Sequence, residues 1–176
     1  MSAARPFAII TGASTGIGFE LARRCAQEGY DLLVAADEPK IKQAAASLRE
    51  GGIDVEALQT DLATIDGVDE LYAAARGRQV DVLMANAGRG LGHAFFDQDF
   101  GKARRVIDTN VTGTVYLIYK VGKDMRRRNS GRILITGSIA GCATTGYQTA
   151  CSNPTTILSI TAVTRGTRLS IGPGTS

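Results

Sequence analysis

Thr11–Gly18 reads TGASTGIG. It stands between an apolar run, FAIIT (Phe7–Thr11), and a segment in which Ile17, Leu21 and Cys25 fall on one helical stripe beside Ala22 and Ala26. A chain passing from strand to helix in so few residues must turn sharply, and glycine permits the backbone conformations such a turn requires. Gly12, Gly16 and Gly18 also leave no Cβ between the backbone and an approaching anion. The free N–H groups and the positive end of the following helix then favour a bound pyrophosphate. No Gly-Lys-Ser/Thr follows at the spacing of a mononucleotide P-loop, so the pattern points to a dinucleotide.

Working outward from this turn, strand and helix patterns alternate, which predicts βαβ units and a parallel sheet. DLLVAA (Asp31–Ala36) reads as a second strand, followed by a helix marked by Ile41, Ala45 and Leu48. VEALQ (Val55–Gln59) is a third strand; Val68, Leu71, Tyr72 and Ala75 give the helix after it. VDVLMANAG (Val80–Gly88) supplies a fourth strand with its outlet loop, and RILIT (Arg132–Thr136) a fifth. Two helical stretches, residues 97–110 and 111–128, lie between them. In the second, Val111, Val115, Ile118, Gly122 and Met125 form a stripe that Leu117 and Val121 widen. An apolar surface this broad predicts contact with the sheet and with something on the helix's other side.

Composition sets bounds on function. A length of 176 residues, 44% hydrophobic, suits one domain with a real core. No run approaches the about 18–20 apolar residues that span a bilayer, and the N-terminus lacks the pattern of a signal peptide, so a cytoplasmic location is expected. The net charge of +3 is small. Arg126, Arg127 and Arg128 cluster at a helix end, where they complement its dipole, and no interleaved aromatics suggest nucleic-acid binding. Cys25, Cys142 and Cys151 are too scattered for a disulfide framework or a zinc site, and the single histidine, His93, lies in a glycine-rich loop. No metal is expected.

TGxxxGxG at Thr11–Gly18, Asp61–Leu62 after the third strand, ANAG at Ala85–Gly88, Asn110, and ITGS at Ile135–Ser138 occur in one order. That ordered set resembles the short-chain dehydrogenase/reductase family, from about Phe7 to Gly141. The resemblance implies a Rossmann-like, doubly wound α/β sheet and an NAD(P) cofactor. Gly12, Ser14, Thr15, Gly16, Ile17 and Gly18 would hold the pyrophosphate and Asp61 and Leu62 the adenine. Asn86, Ala87 and Gly88 would line the ribose side. Asp37, ending the second strand, would accept bonds from ribose hydroxyls and repel a 2′-phosphate. With no basic residue among Ala13–Thr15, this favours NAD over NADP. Each residue also has a bland role: Asp61 as a turn cap, Asn86 as a loop brace, Asp37 as a solvated carboxylate.

The same resemblance assigns Ser138 to orienting a substrate carbonyl or alcohol and Asn110 to supporting a proton relay. A tyrosine and a lysine four residues later should complete the set. The position about thirteen residues beyond Ser138 is Cys151, and four further on is Thr155; Tyr147 has no lysine after it. A phenol with a pKa near 10 needs a nearby cation to transfer protons at neutral pH, so activity is expected to be weak or absent. From Cys142 onward the chain contains no Asp, Glu, Lys or Phe. Residues 1–141 therefore read as the dinucleotide-binding domain and 142–176 as a diverged tail lacking the family's later strands and helices. A tail translated out of frame would account for the break. Thr164–Arg168 can be encoded ACG CGA GGA ACT CGG, which read one base later gives Arg-Glu-Glu-Leu.

Three further expectations follow. TILSITAVT (Thr156–Thr164) reads as a strand. Arg132–Thr136 should form an exposed sheet edge unless the tail or a partner covers it. Helix 111–128 should offer a homo-oligomer contact, as in the family. The alternative function is a non-catalytic dinucleotide-binding or interaction protein on the same fold.

Overall fold

The computed structural model describes residues 5–75, 77–92, 95–138 and 155–160. Five apolar runs lie side by side as parallel strands: β1 (Phe7–Thr11), β2 (Asp31–Ala36), β3 (Val55–Gln59), β4 (Val80–Ala85) and β5 (Arg132–Ser138). Between them run α1 (Gly16–Gln27), α2 (Ile41–Arg49), α3 (Ile65–Ala74), α4 (Phe100–Ile107) and α5 (Thr114–Arg127). A last strand, β6 (Thr155–Ile160), completes the order β3-β2-β1-β4-β5-β6. Chain order reverses beside β1, the switch point where open α/β sheets bind ligands at the strands' carboxyl ends. The TGASTGIG turn sits at that point.

Helices pack on both faces. Ala8, Ile10, Leu32 and Val34 meet Ala22, Ile41 and Leu48 from α1 and α2 on one side. Ile9, Leu33 and Leu83 meet Val68, Leu71, Leu117, Val121 and Met125 from α3 and α5 on the other. Every residue of β1 is buried, as a central strand covered on both faces requires. Among the described residues, no helix is long and apolar enough to cross a membrane.

Two expectations change. In α1 the buried row is Gly18, Ala22 and Cys25, while Ile17 is exposed at the mouth of the turn. In α5 the sheet-facing row is Leu117, Val121 and Met125, whereas Val111 and Val115 are exposed. Val115 lies about 120° around the regular helix from Val121; for Val111 the reason lies just upstream. The two helical stretches form one rod, interrupted by a π-helical turn over Asp108–Gly113 that shifts which side chains meet the sheet. At β5 the tail supplies the cover that the exposed-edge expectation made a condition: β6 pairs with it antiparallel, from Ile133↔Ile160 to Ser138↔Thr155. The sheet thus takes strands from both sides of the boundary expected near Gly141. The rod leaves Phe100, Ile107, Val111, Val115 and Tyr119 exposed.

An ion pair and a hydrogen bond tie α3 to α5. Lys120 pairs with Asp69, and the Tyr72 hydroxyl donates to Asp124. The Lys120 ammonium also lies over the Tyr72 ring, 4.8 Å from its centroid. The hydrogen bond from Lys120 holds the Asp69 carboxyl below its usual range, and Asp69 in turn raises Lys120. The bond to Asp124 raises Tyr72.

Candidate cofactor site

The turn after β1 is built by close backbone approach. Gly12 has φ +66°, and a Cβ there would lie 2.9 Å from Ala87 Cα. At Gly18 a Cβ would lie 2.1 Å from the Gly12 carbonyl oxygen, so α1 can start this near β1 only with glycine. Gly16 differs: its φ is +58°, yet a Cβ would meet nothing within 4 Å. The space beside it is open.

The start of α1 is also unsatisfied from within. Thr15 precedes it in extended conformation, makes no side-chain capping bond, and is followed by no acidic residue in the first turn. In contrast, Thr64 Oγ1 accepts from Gly67 N at α3 (3.0 Å), and Asp99 Oδ1 accepts from Lys102 N at α4 (3.0 Å). The leading N–H groups of a helix have no internal partners, so at α1 they are left to an outside acceptor. An anionic ligand fits this turn.

Side chains lock the neighbouring outlet. Thr11, 2% exposed, accepts through Oγ1 from Asn86 N (3.0 Å) and Ala87 N (2.9 Å). Asn86 Nδ2 reaches back to the carbonyl oxygens of Thr11 (3.2 Å) and Gly12 (3.4 Å). The brace reading of Asn86 is therefore satisfied in full by its side chain.

The rod of α4, π turn and α5 closes the crevice from the far side. Asn110, in the π turn, accepts from Arg89 N (2.8 Å) and donates to Arg89 O (2.9 Å), fixing the loop beyond Gly88. Gly113 packs so tightly that a Cβ would lie 1.9 Å from Leu62 O. One acidic residue at each of two strand outlets is paired: Asp37 with Arg89, and Asp61 with Arg105 (2.5 Å). Asp61 Oδ1 also accepts from Ala63 N (3.0 Å), so its turn-capping role is filled too. Leu62 is buried in the core that Leu71 and Leu117 share.

The model of the short chain dehydrogenase family matches residues 6–152. The chain belongs to that family. Estradiol 17-beta-dehydrogenase 1 of Rattus norvegicus is 35% identical over 141 residues, which cover 76% of this chain and 41% of that protein. Among solved structures, L-sorbose reductase from Gluconobacter frateurii, complexed with NADPH and L-sorbose, superposes with a TM-score of 0.72 at 31% identity. The match covers 77% of this chain and 53% of that one. NAD+-bound xylitol dehydrogenase gives 0.73 at 29%, covering 80% and 55%. The chain spans about half the length of the curated relatives it matches.

In this short-chain dehydrogenase chain the residues expected around the cofactor converge at the carboxyl ends of β1–β4. Of those expected for proton transfer, Asn110 lies in the π turn, bound to Arg89. Ser138 ends β5, and its register partner across the antiparallel pair is Thr155 at the start of β6. Tyr147, Cys151 and His93 lie outside the described residues. Sequence reading missed Arg89 and Arg105. The first directly follows ANAG, and the second sits among basic residues that resemble an ordinary solvated helix face. It also missed the Thr11 hydroxyl, which looked like the last residue of a strand. Cys25 is buried beside Met84 Sδ (3.9 Å), and burial pushes its thiol up to about 11, which makes it inert at neutral pH.

Proposed function

We propose that this chain binds a nicotinamide dinucleotide in the manner of an NAD(P)-dependent oxidoreductase acting on a small carbonyl or alcohol, with its own turnover weak or absent. The observation that carries the binding half is the uncapped start of α1 beside Gly16, at the sheet's switch point. Backbone N–H groups from Ser14 to Ile17 would hold the pyrophosphate, with Gly12 and Gly18 setting the turn. Asp37 would hold the adenosine ribose and favour NAD over NADP. Asp61 and the main chain of Leu62 would meet the adenine, and Ala87 and Gly88 would line the nicotinamide ribose. When bound, the nicotinamide supplies or accepts the hydride.

The chain's own residues would supply the proton. Ser138 Oγ would orient the substrate oxygen, and Asn110 would support the relay as it supports Arg89. The weak step is the proton donor. Cys151 and Thr155 occupy the tyrosine and lysine positions, and Thr155 carries no charge to depress a neighbour's pKa. General acid–base catalysis contributes typically ~10²–10⁴-fold, and that contribution would be lost. The exposed row Val111, Val115 and Tyr119 would serve a homo-oligomer contact, as the notably apolar helix suggests.

The deciding experiment is a fluorescence titration of the full chain with NADH, followed by a panel of carbonyl substrates. Saturable binding with turnover barely above the protein-free rate is expected. Absence of binding sinks the reading; brisk reduction sinks the impaired half of it.

A further inference from the structure

We infer that Arg89 is a specificity-determining residue of the cofactor site, acting with Asp37 as one unit; the inference rests on the dinucleotide reading above. The sheet order places β2 and β4 on either side of β1. The ion pair between Asp37, just past β2, and Arg89, past β4, therefore bridges roughly 10 Å of sheet, two strand spacings. It passes over the outlet of β1, where the glycine turn lies.

Both ends of this bridge are held from behind. The Asp37 carbonyl accepts from Gln59 Nε2 (3.2 Å), tying the β2 outlet to β3. The Arg89 main chain is gripped on both its N–H and its carbonyl by Asn110. The π turn thus fixes the main chain from which the guanidinium extends. Asn110 acts here through the backbone, so replacing the Arg89 side chain leaves that grip intact.

The consequence concerns the ribose 2′ position. A lone carboxylate at the β2 outlet accepts from a 2′-hydroxyl and repels a 2′-phosphate. Here the carboxylate is compensated by a cation held at the same place. Arginine binds phosphate through a planar fork of donors. The pair is over a third exposed on both sides, and such surface pairs are weak. A 2′-phosphate can therefore take the guanidinium from Asp37, while a 2′-hydroxyl can use Asp37 with the pair intact. Arg89 moderates the preference for NAD that Asp37 alone would make steep.

The test is the ratio of NADPH to NADH dissociation constants, measured by fluorescence titration of the full chain and its variants. Arg89→Ala should weaken NADPH roughly ten- to a hundredfold, the range for losing a charged hydrogen bond, while NADH binding persists and reports an intact fold. Arg89→Lys should recover part of the loss. Asp37→Asn should tighten NADPH by about tenfold as the guanidinium is freed. If Arg89→Ala binds both with the parent's ratio, the inference about Arg89 is overturned and the cofactor reading survives. If the parent binds neither, the cofactor reading falls and takes the inference with it.

Discussion

The adenosine side of the crevice and the β5–β6 side are made differently. On the first, three parallel strand ends are pinned by side-chain and backbone contacts: Thr11 to Asn86 and Ala87, Asn110 to Arg89, Gly113 against Leu62, and Arg105 to Asp61. On the second, β5 continues through Ser138 and is met by an antiparallel strand whose first residue, Thr155, pairs with Ser138. Parallel neighbours all send their carboxyl ends to one rim, where side chains from several segments can converge. An antiparallel neighbour sends its carboxyl end the other way. It covers the edge of β5.

The strongest way to break this comparison is at the glycine turn. Gly18→Ala sets a Cβ against a main-chain carbonyl, which cannot swing aside. A loss of about 3 kcal/mol or more is expected in urea unfolding, at the upper end for overpacking. Gly16→Ala meets open space and should lose only about 1–2 kcal/mol from its left-handed backbone. Equal losses at the two positions would mean the turn is not packed as described.

Next in size is Thr11→Val, which keeps the shape and removes the acceptor shared by two N–H groups. Each unsatisfied donor costs about 1–3 kcal/mol when buried. NADH affinity should fall with stability, since the Asn86–Gly88 outlet would loosen. Stability loss with unchanged affinity would separate that outlet from the cofactor site.

On the other side, Leu158→Pro should weaken the β5–β6 pairing, at a cost of about 1 kcal/mol. Amide exchange should quicken in β5 and stay slow in β1 and β2. NADH affinity should hold. A large drop in affinity would show the two sides to be coupled.

The smallest effect lies in the α3–α5 contact. Asp69 is depressed in the folded state, so its contribution is present above its unfolded value near 3.9 and lost as pH falls through the folded one. Lys120 and Tyr72 are raised, so theirs is present below about 10 and lost as pH rises past their folded values. The melting temperature should form a plateau between those limits. Asp69→Asn should flatten the acid limb contributed by this pair; an unchanged acid limb would show that Asp69 is not part of it.

Most of the scaffold was legible because its signals are local. β1, β2 and β3 have the expected bounds, since each is a short apolar run closed by turn residues. The glycine turn was legible because its spacing reflects a backbone geometry that few other residues permit. What escaped depends on contacts distant in sequence. Arg89 and Asp37 are fifty-two positions apart, Arg105 and Asp61 forty-four. No periodicity announces such pairs. The facing row of α5 was misjudged for a different reason: the stripe was centred between Val115 and Met125 when the buried row is Leu117, Val121 and Met125, and the π turn takes Val111 out of register with either. Coverage of β5 by β6 was weighed as one possibility, but strand direction is a property of the pairing and not of either strand alone.

The π turn carries one more implication, about length. In a regular helix each residue advances the side chain about 100° around the axis. Upstream of Asp108–Gly113 the rod must aim Arg105 at Asp61; downstream it must aim Leu117, Val121 and Met125 inward. Removing one residue between them would rotate the two halves out of phase, so that either the crevice wall or the core loses its partners. Thr112 is exposed and free to vary in kind, but the number of residues there acts as a fixed gear ratio between the ligand's wall and the protein's interior.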